Sequence, residues 1–433
     1  MPTSTALIES FREQVRWCDK LGSAFTARLL EALVQDWQDG GPMRTLLPAW
    51  TVGPPATDLV PLRLAGGLHA LALSGLHPAL TALYPPAAAQ FDAEAIVPLL
   101  RRLLAEEAEM LRGFLASAPQ TNETQRSAVL IGGYAAIAQA TGLPLALCEI
   151  GASAGLNLLW DRFHYRLGSQ RWGDAASPVQ IVSDWRGAAP TLPATIAVAG
   201  LHGNDLMPVD LSDPQAVLRL RAYVWPDQAA RAARLLGAIT LAQQGLPPVE
   251  AGDAAEWVAR RLAEPNPGVA TVLVHSVVWQ YLPSATRSNI ESTLAQASAR
   301  ATRAAPLAWL RMEFFDSSAP AELRLTLWPG GAERVLALHH AQVVELVPRC
   351  REQVAHDHDL DGVGRWAQRD LGEDRPGQSA CAVGVADEGD EAVGFEVEVE
   401  LGVIVWLSDG DEQRSGALVV DLGRSVVRVV DPH

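Results

Sequence analysis

Glu149-Ile150-Gly151-Ala152-Ser153-Ala154-Gly155-Leu156-Asn157 is the segment on which the architecture of this chain turns. It follows a short apolar run, 145–150, that opens after Pro144, and it leads into a segment of helical spacing. Small residues at such a strand-to-helix turn let the backbone approach a ligand, and a helix N-terminus offers free N–H groups. Glu149 at the strand end can receive an amine or a hydroxyl. The same letters also spell G-x-S-x-G from Gly151 to Gly155, the pattern of a hydrolase nucleophile elbow with Ser153 as nucleophile. An elbow normally follows several strands and an oxyanion loop, whereas the 140 residues before this turn read as helical and hold no HGGG-like loop. A tight turn with no ligand is the third reading.

Upstream, Leu7, Ile8, Phe11 and Val15, then Phe25, Leu29, Leu33 and Trp37, recur at helical spacing, and the second run stops at Gly40-Gly41. Ile96 to Phe114 reads as one amphipathic helix. Thr121 or Asn122 caps another that runs to Gly142. Downstream, apolar runs at 194–200, 271–275 and 307–312 alternate with helical stretches near 214–223, 227–243, 253–263 and 285–303. That alternation implies right-handed crossovers and a largely parallel sheet. Segments 323–328 and 334–339, parted by Pro329-Gly330-Gly331, read as a closing antiparallel hairpin. The fold class is therefore α/β, with three parts: a helical domain at 1–120, an α/β domain at 121–341 and an acidic extension at 342–433 with a few strands at 395–407 and 416–430.

Composition bounds the function. The 433 residues are 48% hydrophobic and 19% charged, which excludes disorder over most of the chain. The net charge of -16 makes a poor non-specific partner for nucleic acid or an anionic membrane. Residues 342–433 carry 20 acidic and 8 basic side chains, against 30 and 26 in residues 1–341, so the acidity belongs mostly to the extension. Four cysteines with no CxxC pair indicate neither a zinc site nor a disulfide framework. The most apolar window, 59–83, contains Arg63, His69 and His77 and is a poor membrane span. With no apolar signal core at the start, the expected compartment is the cytoplasm.

Two features downstream agree with a cofactor turn. Asp205 follows the second strand, where a carboxylate holds a ribose diol; its alternative is a turn cap. Asp253, in Gly252-Asp253-Ala254-Ala255-Glu256, stands where a carboxylate reads an adenine edge; its alternative is a helix N-cap with Glu256 as partner. With these residues the chain resembles the class I S-adenosylmethionine-dependent methyltransferases, whose Rossmann-like sheet is mostly parallel with antiparallel final strands. More closely, it resembles a bacterial domain-of-unknown-function family numbered 2332. That likeness spans about residues 8–340 and is carried by Gln120-Thr121-Asn122-Glu123 with Arg126, the glycine turn, Asp205-Leu206-Met207-Pro208-Val209-Asp210, Val224-Trp225-Pro226-Asp227-Gln228 and Val274-His275-Ser276. Two departures stand out. Ser153 replaces the second glycine of the usual turn, and Glu149 lies 56 residues before Asp205, far beyond the ~20 of a simple strand–helix–strand unit. An insertion containing Trp172-Gly173-Asp174 fills the gap.

The resemblance implies S-adenosylmethionine as cofactor and a small molecule as substrate. Glu149, Gly151, Ser153, Gly155, Asp205 and Asp253 become the cofactor-binding residues. His275 and Glu313, after the fourth and fifth strands, are the candidate bases, each with a structural alternative: a satisfied buried histidine and a surface carboxylate. Trp279 and Tyr281 line a substrate pocket or pack a core. Asn122, Glu123 and Arg126 close over the ligand or form a cap and a surface ion pair at i, i+3. The rival readings are a Ser153 hydrolase, with Asp253 and His275 or His340, and a non-catalytic binding protein. Asp357-His358-Asp359-Leu360-Asp361-Gly362 begins like a calcium loop, but Gln368 stands at the twelfth position, and no metal is assigned. The sequence leaves the oligomeric state open.

Overall fold

The computed structural model describes residues 4–48, 50, 53–88, 90–186, 190–315, 320–340 and 343–346, and in the extension 383–385, 393–395, 404–408, 415–421 and 426–430. The chain divides into two compact units, Met1–Arg349 and Cys350–His433.

The first unit begins with seven helices: α1 (Ser4–Lys20), α2 (Ala24–Gln38), α3 (Pro42–Leu46), α4 (Val60–Leu73), α5 (Pro78–Leu83), α6 (Ala93–Glu106) and α7 (Ala108–Leu115). Ile96 to Phe114 is thus two helices, broken at Glu107. Their apolar stripes meet in one core that includes Leu7, Phe11, Leu30, Leu64 and Leu103. The apolar window 59–83 is mostly α4, a 14-residue helix buried on nearly every side, so its hydrophobicity is that of a central core helix. No helix among the described residues is long and apolar enough to cross a membrane.

After α8 (Ser127–Thr141) comes the sheet. Its strands are β1 (Leu145–Ile150), β2 (His164–Leu167), β3 (Gln170–Trp172), β4 (Gln180–Arg186), β5 (Val198–Asp205), β6 (Val249–Ala251), β7 (Ala270–Ser276), β8 (Leu307–Glu313), β9 (Ala321–Trp328), β10 (Glu333–His340) and β11 (Val343–Leu346). The helices between them are α9 (Pro214–Ala222), α10 (Ala229–Ala242), α11 (Ala254–Arg261) and α12 (Ser284–Ser298). The spatial order is β3-β2-β4-β11-β10-β9-β8-β7-β1-β5-β6. Strands β6, β5, β1, β7 and β8 are parallel, and β9 and β10 follow as antiparallel neighbours, so the fold is mixed α/β.

The long gap between Glu149 and Asp205 is filled by β2, β3 and β4, which the sequence reading missed. They do not stay beside β1: β4 pairs with β11 at the far side of the sheet. The second parallel strand begins later than expected, at Val198, and carries Asp205 as its last residue.

Side-chain alternation assigns the two faces. Leu145 and Leu147 of β1, Val272 and Val274 of β7 and Leu310 of β8 meet α8 and α10 in the largest core. Cys148, Ile150, Leu273 and Leu307 point the other way, against Trp257 and Val258 of α11 and Ile290 and Leu294 of α12. The helical half is fastened to this layer by Asp227, which accepts from Phe25 N at 2.9 Å and from Ser23 Oγ, and so caps α2 from 200 residues away.

In the second unit, β12 (Val383–Val385) pairs with β13 (Val393–Phe395), and β14 (Ile404–Ser408), β15 (Ser415–Asp421) and β16 (Val426–Val430) form an antiparallel meander. The segment 357–362 lies outside the described residues.

Candidate functional site

Strand order reverses at β1. Apart from the inserted β2–β4, the parallel strands that follow β1 are laid down first on one side of it, as β5 and β6, and then on the other, as β7 and β8. Ligands of open α/β sheets lie beyond the strand C-termini at such a switch point. The glycine turn occupies it.

Gly151 has φ 69°, and a Cβ there would stand 2.5 Å from Val278 Cγ2. Both the left-handed backbone and the contact therefore require glycine. Gly155 has φ 73°, with Val249 Cγ2 2.7 Å from the place of a Cβ. Ser153 also has positive φ, 54°, uncommon for a residue with a side chain. Its backbone is tied down on both sides: its N–H donates to Asp205 Oδ2 at 2.8 Å, and its carbonyl accepts from Val209 N at 3.2 Å. Its hydroxyl is buried and has no hydrogen-bond partner among the described residues.

The turn does not open an α-helix. Leu156–Arg162 is a seven-residue 3-10 helix whose first five residues are all buried. It ends at Arg162, and the chain turns into β2. The N–H of Leu156 is not free for a ligand, because it donates to Asn122 Oδ1 at 2.9 Å. Asn122 thus caps this helix and not its own. The segment after it forms a 3-10 turn, Thr124–Arg126, capped by Glu123, before α8 begins at Ser127.

Glu123 and Arg126 do not pair as the i, i+3 spacing suggested. Glu123 reaches Arg231 and Arg234 of α10; burial, the largest single influence, pushes its carboxyl up, but the Gln125 N–H and the attraction of Arg231, Arg234 and Arg126 together outweigh it and hold the carboxyl low. Arg126 turns inward over the strand ends, where its Nη1 donates to Ser276 O at 2.8 Å and contacts Ser276 Oγ at 3.4 Å.

Glu149 is 4% exposed, on the α8 face. Burial pushes its carboxyl up to about 8, with attraction by Arg126 opposing and repulsion by Asp205 adding. Asp205, at the end of the adjacent strand, accepts from Ser153 N, from Met207 N at 2.9 Å and from Gln120 Nε2 at 3.4 Å. Gln120 also donates to Met207 O at 2.7 Å, so it pins the loop after β5 to the helical segment. Gln120 stood in the likeness-bearing stretch, but nothing in its spacing marked it as a ligand-side residue.

His275 and Glu313 lie on the opposite face of the sheet from Glu149. His275 is fully buried. Its Nε2 accepts from Trp309 Nε1 at 3.1 Å, its Nδ1 lies 2.7 Å from Glu313 Oε1, and its ring stacks on Trp279 at 4.9 Å. An indole N–H can only donate, so Nε2 is unprotonated and Nδ1 carries the proton to Glu313. As placed, His275 has no lone pair left for a substrate proton and serves instead to orient Glu313. Glu313 Oε1 further accepts from Val278 N at 3.1 Å and Trp279 N at 3.3 Å. It thereby fixes the turn after β7, where Val277 has φ 53°. Such an outlier, in a β-branched residue beside a strand end, marks strain held by its surroundings. Trp279 is half-buried against His275 and Trp309, while Tyr281 is exposed.

Asp253 caps α11. Its Oδ1 accepts from Ala255 N at 2.8 Å and Glu256 N at 3.2 Å, and its Oδ2 accepts from Thr286 Oγ1 at 3.2 Å. Ser153, Asp253 and His275 therefore form no relay: the serine hydroxyl is unpartnered, the aspartate is a cap, and both histidine nitrogens are used. His340 ends β10, and its side chain lies outside the described ones. Among the described residues no group of three His, Cys, Asp or Glu side chains is placed to hold a metal ion.

No curated protein and no protein of known structure matches the chain. A family model does match, over residues 8–345, which covers the helical half and the whole parallel sheet. The chain belongs to that family, DUF2332, described as an uncharacterized protein conserved in bacteria.

Proposed function

We propose that this chain is an S-adenosylmethionine-dependent methyltransferase acting on a small molecule. One observation carries the reading. At the strand-order reversal, a glycine turn with left-handed Gly151 and Gly155 is bound through Ser153 to the carboxylate that ends the neighbouring strand. The residues fit the cofactor in two further respects. The buried Ser153 hydroxyl lacks a partner that a ligand can supply. A carboxylate has about four acceptor sites, so Asp205 keeps room for a hydroxyl beside its N–H donors.

Glu149, Gly151, Ser153, Gly155 and Asp205 would hold the cofactor, with Glu149 toward its amino end and Asp205 toward its ribose. Asp253 is engaged as a cap and contributes at most its remaining acceptor site. The bound cofactor supplies an electrophilic methyl group. The protein supplies position, and Glu313 Oε2 is the acceptor left for a proton once Oε1 has taken its donors.

Isothermal titration with S-adenosylmethionine tests the reading. Wild type should bind, and Asp205→Ala should lose binding at least tenfold. Silence of folded wild type at millimolar cofactor refutes it.

A further inference from the structure

Glu149 is the one buried carboxyl at the strand ends that no hydrogen bond from a described residue reaches. It is 4% exposed, on the face of β1 covered by α8. The charged and titratable groups acting on it are Arg126 from the 3-10 turn, Tyr134 from α8 and Asp205 from β5. Arg126 is not its dedicated counter-ion. That guanidinium donates to Ser276, and its charge is shared with Glu123 and Glu313. Asp205 adds a like charge. A carboxylate with no donor, a divided cation and a neighbouring anion is poorly stabilised in a dry site.

We propose that the buried Glu149 carboxyl selects ligands bearing an ammonium group and takes each one in exchange for a proton. The free protein holds Glu149 as the neutral acid. A ligand ammonium brings the counter-ion that the fold lacks, the O–H bond of Glu149 breaks, its proton passes to the solvent buffer, and an ammonium–carboxylate pair remains. The inference rests on the methyltransferase reading and adds to it a charge requirement and a stoichiometry. The position of Glu149 near 8 agrees with it. At pH 7 such an acid is about nine-tenths protonated and an α-ammonium is mostly charged, so about 0.8 proton should leave per ligand bound.

The test is titration of wild type and Glu149→Gln at pH 7 in two buffers of different ionisation heat, with S-adenosylmethionine and with 5′-methylthioadenosine, which has neither ammonium nor sulfonium. The expected result is release of about 0.8 proton for S-adenosylmethionine on wild type. Glu149→Gln should release none, and neither protein should release any with methylthioadenosine. Binding of S-adenosylmethionine with no dependence on buffer overturns the exchange and leaves the cofactor reading standing. Absence of binding overturns the cofactor reading itself. Infrared difference spectra of ligand-free wild type against Glu149→Gln decide the state of the acid in either case. A protonated carboxyl band at pH 6 that disappears near pH 8 supports the proposal, and a carboxylate already present at pH 6 overturns it.

Discussion

Two glycines with nearly the same backbone separate conformational strain from contact. Gly142 ends α8 at φ 67° and would present a Cβ to open space. Gly151 sits at φ 69°, but its Cβ would meet Val278 Cγ2 at 2.5 Å and Val278 Cβ at 2.8 Å. Val278 has little freedom to retreat, because its N–H is held by Glu313 Oε1 and the preceding Val277 is itself at positive φ. Alanine at either position pays about 1–2 kcal/mol for the left-handed conformation. Gly151→Ala adds about 1–3 kcal/mol of overpacking. The expected costs are therefore about 1–2 kcal/mol for Gly142→Ala and about 2–5 kcal/mol for Gly151→Ala. Equilibrium denaturant unfolding of both variants measures the difference. Adding Val278→Ala to Gly151→Ala removes the nearer Cγ atoms and should recover part of it, a coupling of about 1 kcal/mol. Equal costs for the two single variants, or no coupling with Val278, would show that Gly151 and Val278 are not in tight contact and would undo the case for a rigid turn at the switch point.

Three further outcomes follow from the same contacts. The folded state holds the Glu149 proton more tightly than the unfolded chain, so its contribution is present at low pH and is lost as pH rises from the ordinary carboxyl range toward about 8; wild type should lose about 2–3 kcal/mol relative to Glu149→Gln between pH 6 and pH 9, read by denaturant unfolding at each pH. Asp227→Ala removes both bonds that cap α2 and should cost about 1–3 kcal/mol, with early loss of hydrogen-exchange protection in the first turn of α2. Trp309→Phe leaves His275 Nε2 buried without its donor and should cost about 1–3 kcal/mol, with a shifted His275 imidazole resonance as the local reporter.

The parallel core was legible because each strand is a short apolar run closed by a turn. The runs at 145–150, 271–275 and 307–312 became β1, β7 and β8 with only small end shifts. Strands β2 to β4 were missed because they are short and mixed. Val182 is half-exposed within β4, and one of the two partners of β4, β11, lies some 160 residues away. Pairing at that distance leaves no periodic trace. At the site, residue type and position along the chain pointed to Glu149, Gly151 and Asp205. What sequence spacing could not convey was partner choice. Asn122 looked like the cap of its own helix and caps another. Glu123 looked like the partner of Arg126 and binds α10. His275 looked like a free base, yet its second nitrogen is claimed by Trp309 from the next strand over. The first two depend on tertiary packing between distant segments, and the third on which face a strand residue shows, which a one-residue difference in register reverses.

The central claim is that the glycine turn at β1 binds S-adenosylmethionine. Native mass spectrometry of the purified chain, with S-adenosylmethionine added at millimolar concentration, tests it most directly. The account predicts a one-to-one complex on wild type that is lost in Asp205→Ala while that variant keeps a folded charge-state distribution. A wild type that stays bare, or a complex that survives Asp205→Ala undiminished, contradicts it.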